Sequence, residues 1–161
     1  GTINTVKAVL PQMRKQKEGK IICISSVAAV YSIPFQAYYS ASKAAVNSFV
    51  DALTNEVKSF GIEVASVMPG DISTGFTAAR SKTNAGDDVY SGVIGSAVSA
   101  MEKDEKNGMT PDSVAKLVVK LAEKKHVSPL YTAGLQYKTL VFLSRIFPHK
   151  LAVKIVGGMY K

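Results

Sequence analysis

A tyrosine and a lysine four residues apart, in Tyr39-Ser40-Ala41-Ser42-Lys43, are the side chains of this sequence best suited to proton chemistry. On a helix that spacing sets both on one face. A phenol of ordinary pKa, about 10, is a poor proton donor or acceptor at neutral pH, but a nearby cation favours phenolate and brings it toward the working range. The pair therefore suits protonation of an oxyanion. Tyr38 has Ser42 four residues on, so only Tyr39 has the lysine partner. The spacing alone is common in a lysine-rich chain and gains weight from its surroundings. Ser26 stands thirteen residues before Tyr39, at the end of one apolar run, and Pro69-Gly70 closes another.

Those surroundings read as alternating helices and strands. Ile3, Val6, Val9, Leu10 and Met13 recur every three or four residues, which predicts a helix over 2–17 with a kink at Pro11. Gly19 breaks it, and the continuous apolar run of 21–26 reads as a strand covered on both sides. A loop over 27–37 leads to a long helix over 38–60, stopped by Gly61; a second strand spans 62–68. The order predicts an α/β fold, part of a doubly wound, Rossmann-like parallel sheet with helices on both faces. Sites in such folds lie at the carboxyl edge of the sheet, where Ser26 and Pro69-Gly70 would fall. The polar, Gly- and Ser-rich stretch from Asp71, with a short helix expected over 87–102, reads as a substrate lid spanning 71–109. Thr110-Pro111 is a helix-start signal. A basic, apolar tail occupies 129–161.

Three motifs together, Gly19-Lys20-Ile21-Ile22-Cys23-Ile24-Ser25-Ser26, Tyr39-Ser40-Ala41-Ser42-Lys43 and Pro69-Gly70-Asp71-Ile72-Ser73-Thr74, resemble the short-chain dehydrogenase/reductase family in order and spacing. The resemblance implies an oxidoreductase that interconverts a carbonyl and a secondary alcohol by hydride transfer with NAD or NADP. It implies that Ser26, rather than the adjacent Ser25, holds and polarises the substrate carbonyl, and that Tyr39 is the general acid in reduction and the base in oxidation. Lys43 would bind nicotinamide-ribose hydroxyls. Pro69, Gly70, the backbone of Ile72 and the Thr74 hydroxyl would hold the nicotinamide amide. Ser26 and Thr74 also suit ordinary loop roles. Substrate contacts are expected from Val27, Phe35, Phe76 and Tyr90, with core packing an equal alternative for Phe35. The resemblance begins partway into the family's pattern: the Gly-rich turn that seats the pyrophosphate has no counterpart here. A further active-site asparagine would lie just before Gly1, and Asn4 falls a turn too late for that role. The chain is thus expected to be the C-terminal catalytic part of a single domain, binding nicotinamide poorly by itself.

Composition narrows the alternatives. With 47% apolar residues the chain can bury a core, and its single cysteine, Cys23, lies inside an apolar run, which excludes a disulfide framework and suits a cytoplasmic setting. The net charge is +8, and from Leu121 onward seven Lys or Arg face one acid, Glu123. The aromatic platforms or helix-turn-helix of a nucleic-acid binder are missing. His126 and His149 have no ligand-type residues at metal spacing, so no metal site is expected. No apolar run reaches the roughly 18–20 residues that span a bilayer. The tail, however, suits either packing over the pocket or lying on an anionic membrane surface, and a lipid-like substrate accords with both. The resemblance also implies a homodimer or homotetramer through the helices at 2–17 and 38–60. Two competing classes remain: a non-catalytic Rossmann-like interaction or scaffold protein, and a peripheral membrane module without redox function.

Overall fold

Apolar residues on successive strand positions point to opposite faces of a sheet, so a strand that is apolar throughout needs cover on both sides. The structure, a computed structural model describing residues 1–79 and 86–160, supplies that cover. Helix α1 (Thr2–Gln16) leads to strand β1 (Gly19–Ile24), helix α2 (Ala37–Val57) to strand β2 (Ile62–Met68), and helix α5 (Pro111–Glu123) to strand β3 (Leu130–Thr132). The three strands form a parallel sheet in the order β1-β2-β3, with Ile21 opposite Val64 and Ser66 opposite Leu130. On one face, Val6 and Leu10 of α1 and Val50, Leu53 and Val57 of α2 pack on Ile21, Cys23, Ile62 and Val64. Val114 and Leu121 of α5 pack with Val67 on the other, beside Ile22. Full burial of one such side chain contributes about 1.5–3 kcal/mol. The expected doubly wound arrangement is present.

Several boundaries differ from the sequence expectation for identifiable reasons. β1 ends at Ile24 rather than Ser26, since Ser26 already caps a short turn over Val27–Ala29 by accepting from the Ala28 N–H. Helix α1 runs through Pro11. A final tight turn, Lys58–Phe60, ends α2, and Gly61, at φ 68°, makes the left-handed reversal into β2. The helix expected from Asp87 instead begins at Val93 (α4, Val93–Lys106). Asp87 belongs to its start as a cap: its Oδ1 accepts from Ile94 N at 2.9 Å. With helix α3 (Phe76–Ala79), α4 occupies the segment expected to be a lid, of which 80–85 lie outside the described residues. Strand β3 was hidden in the tail because three residues are too few to show a period. Two further helices follow it, α6 (Leu135–Leu143) and α7 (His149–Met159). His126 places Nδ1 2.7 Å from Glu63 Oε1.

All three strands end at one edge. Ser25 N donates to Val67 O, Val27 N to Pro69 O, and Ala133 N to Met68 O, which ties the loops leaving the strands to one another. Above that edge Val141 of α6 is buried with Val27 and Met68.

Candidate active site

Ser26, Tyr39 and Lys43 reach this edge from two elements and line one cavity of about 510 Å³. Burial separates the adjacent pairs. Tyr38 is 94% exposed, while Tyr39, one residue on, turns into the cavity wall. Ser25 is buried and donates its hydroxyl to Lys43 O at 2.9 Å, fixing the start of α2 to the end of β1. Ser26 Oγ accepts from Ala28 N at 3.1 Å. A hydroxyl that accepts in this way keeps its hydrogen to donate elsewhere, so the capping role and a carbonyl-polarising role are compatible.

Lys43 Nζ donates to Ile24 O at 3.1 Å and stands 5.7 Å from the centre of the Tyr39 ring. The carbonyl at the end of β1 therefore holds the ammonium beside the phenol. Burial pushes the Lys43 pKa below the ordinary lysine value.

Pro69, Gly70, Ile72 and Thr74 line the same cavity. Ile72 forms a parallel bridge with Met109, in which Met109 N donates to Asp71 O and Ser73 N donates to Met109 O. The neighbours' groups are consumed, and the N–H and C=O of Ile72 itself are left on the opposite edge of the chain. A carboxamide, with one donor and one acceptor side, matches such a peptide. The donor set of Ile72, Lys43 and Tyr39 thus fits a nicotinamide riboside. Thr74 Oγ1 accepts from Phe76 N at 3.2 Å, an ordinary turn bond.

Val27 and Phe76 line the cavity, but Phe35 and Tyr90 do not. Phe35 has a left-handed backbone, φ 60°, between Pro34 and Gln36, and its ring meets Tyr90 edge-on at 5.6 Å on the outside. Ile33 and Gln36 take its place in the wall. Neither substrate role expected for Phe35 and Tyr90 matches these positions.

One feature escaped the sequence. Tyr137 of α6 lies over Gly70, where an added Cβ would come within 2.1 Å of Tyr137 Cζ. Its hydroxyl donates to Asp71 Oδ2 at 2.8 Å and accepts from Asp71 N at 3.1 Å. Burial raises the Asp71 pKa, the Tyr137 hydrogen bond opposes that rise, and Asp104 and Glu105 add to it. The tail, expected either over the pocket or on a membrane surface, lines the pocket: α6, α7 and the turn between them supply an apolar wall that includes Leu140, Leu143, Phe147, Ile155 and Met159. Tyr31 fastens α6 by donating to Leu140 O at 2.6 Å. The only prior signal for the Tyr137–Asp71 tie was an Asp inside the Pro69–Thr74 motif.

A family model described as short chain dehydrogenase matches residues 1–85, just over half of the 161-residue chain. The chain belongs to the short chain dehydrogenase family. It is 42% identical over 128 residues to a 3-ketodihydrosphingosine reductase of Bacteroides thetaiotaomicron, covering 78% of this chain and 48% of that protein. It is 36% identical over 148 residues to dehydrogenase/reductase SDR family member 7B of Xenopus laevis, covering 92% of this chain and 42% of that one. Among solved structures, a short chain dehydrogenase from Burkholderia cenocepacia in complex with NADP matches with a TM-score of 0.70 at 19% identity, over 95% of this chain and 53% of that one, a likeness of fold. A 3-oxoacyl-[acyl-carrier protein] reductase with bound NAD from Brucella melitensis matches with a TM-score of 0.59 at 25% identity, over 84% of this chain and 46% of that one. The chain spans about half the length of these curated relatives.

Proposed function

We propose that this short chain dehydrogenase is a nicotinamide-dependent oxidoreductase that interconverts a ketone and a secondary alcohol on a largely apolar substrate. The observation that carries this reading is the meeting of Ser26, Tyr39 and Lys43 on one cavity at the carboxyl edge of the sheet. NAD or NADP supplies or accepts the hydride. Ser26, its oxygen already engaged by the Ala28 N–H, donates its hydroxyl hydrogen to the substrate carbonyl. Tyr39 delivers the proton to the developing alkoxide in reduction and removes it in oxidation. Lys43, held by Ile24 O beside the Tyr39 ring, binds ribose hydroxyls. The Ile72 peptide receives the carboxamide and thereby orients the ring.

The apolar wall from α6 and α7 supports a long-chain or lipid-like carbonyl substrate, in keeping with the name of the Bacteroides relative. The test is turnover by the full-length protein, followed as loss of NADH or NADPH absorbance, with straight-chain ketones of increasing length. Each methylene entering the apolar wall is expected to raise kcat/KM up to roughly fourfold, the equivalent of about 0.8 kcal/mol, until the cavity is filled. Nicotinamide binding without turnover on any member of the series counts against the chain-length reading, and absence of both binding and turnover overturns the oxidoreductase.

A further inference from the structure

From Gly134 to the C-terminus the sequence contains no Asp or Glu, while Lys138, Arg145, Lys150, Lys154 and Lys161 are basic. The first four stand exposed. Among them are large apolar side chains out in solvent: Leu135 is 82% exposed, Phe142 and Ile146 are 61% exposed, and Val153 is 58% exposed. In α6 the positions Leu135, Lys138, Thr139 and Phe142 follow the three- and four-residue spacing of a single helix face. Val141 is buried against Val27 and Met68, so this outer face is what remains once α6 has docked. No residue of α7 is fully buried. Scattered exposed apolar residues are ordinary, whereas a contiguous set of them marks an interaction surface.

The charge pattern selects the partner. A second copy of the chain would bring the same uncompensated cations against one another, which opposes association through this face. Basic side chains interleaved with Leu, Phe and Ile match the boundary of an anionic bilayer, where the apolar groups enter between acyl chains and the ammonium and guanidinium groups stay among phosphates. Among the described residues no helix is long and apolar enough to cross a membrane. We infer that α6 and α7 form a surface that docks this protein, lying flat, on an anionic phospholipid membrane.

The same helices and the turn between them wall the cavity, which Phe147, Ile155 and Met159 line. The segment that docks and the segment that walls the cavity are therefore the same. Docking is independent of the hydride-transfer reading, because it is measured with no cofactor or substrate present.

The test is co-sedimentation of the full-length protein with vesicles of phosphatidylcholine alone or with about a third phosphatidylserine. Binding to the anionic vesicles is expected, with little to the neutral ones and a steep loss in high salt. Two double variants, Arg145→Glu with Lys150→Glu and Phe142→Ser with Ile146→Ser, alter exposed residues outside the cavity and should leave the circular dichroism spectrum unchanged. Each is expected to lower partitioning at least about tenfold. Absence of binding to anionic vesicles overturns the inference, as does either double variant binding like the unaltered protein. So does a dimer in sedimentation velocity that the Phe142→Ser, Ile146→Ser variant dissociates.

Discussion

Replacing Tyr137 by Phe removes a single oxygen that serves two hydrogen bonds, one donated to Asp71 Oδ2 at 2.8 Å and one accepted from Asp71 N at 3.1 Å. The ring stays over Gly70, so packing is little changed. A hydrogen bond to a charged group contributes about 1.5–3 kcal/mol and an ordinary one about 0.5–1.5 kcal/mol. Both residues are only partly buried, and water replaces part of what is lost. The expected net loss is about 1.5–2.5 kcal/mol, which for a domain of this size lowers Tm by roughly 3–10 °C. Urea unfolding followed by circular dichroism reads the first quantity and a thermal scan the second. In an Asp71→Asn background the charge is absent, and the same Tyr137→Phe change is expected to cost about 1 kcal/mol or less. A loss below about 0.5 kcal/mol in the unaltered background, or the same loss in both, refutes the charged hydrogen bond as the tie between α6 and the Pro69-Gly70 turn.

Asp71→Asn by itself tests the electrostatics of that tie. Burial first, with Asp104 and Glu105 assisting, holds the folded carboxyl pKa above its unfolded value, so the contribution of Asp71 is fully present below about pH 4 and declines as pH rises through the folded value. The variant should therefore gain stability relative to the unaltered protein between pH 4 and pH 7 in paired urea titrations, and a change of opposite sign contradicts the assignment. Gly70→Ala places a Cβ within 2.1 Å of Tyr137 Cζ, so the ring must move; overpacking of this kind costs about 1–3 kcal/mol by urea unfolding, and a neutral result shows that α6 does not press on this turn. Cys23 is buried and burial raises its thiol pKa, so a thiol reagent should label it only at the rate of opening, faster in urea; immediate labelling of the folded protein contradicts the packing of β1 under α1 and α2.

The strands and helices that carry the candidate site were legible because each has a strong local cause. Ile62–Met68 is a continuous apolar run, and Thr110 caps α5 with its side chain accepting from Ser113 N. Tyr39 was separable from Tyr38 by its lysine partner, and the structure places the two on opposite sides of the wall. What escaped depends on contacts distant in sequence. β3 exists because Ser66, Val67 and Met68 offer an edge to Leu130, Tyr131 and Thr132, and nothing within those three residues announces it. Tyr137 meets Asp71 across 66 residues. Phe35 has the composition of a pocket residue, but a left-handed backbone conformation, invisible in the sequence, accompanies its position outside.

The central claim is that one phenol of an adjacent pair handles the proton. Its most direct measurement compares Tyr39→Phe and Tyr38→Phe in the full-length protein on a ketone that the unaltered protein reduces, with nicotinamide binding measured in parallel. Loss of a general acid lowers turnover by about 10²–10⁴-fold. Tyr39→Phe is expected to fall by that much with nicotinamide still bound, while Tyr38→Phe, whose ring stands 94% exposed, keeps the unaltered rate. Full turnover by Tyr39→Phe, or an equal loss in both variants, contradicts the account.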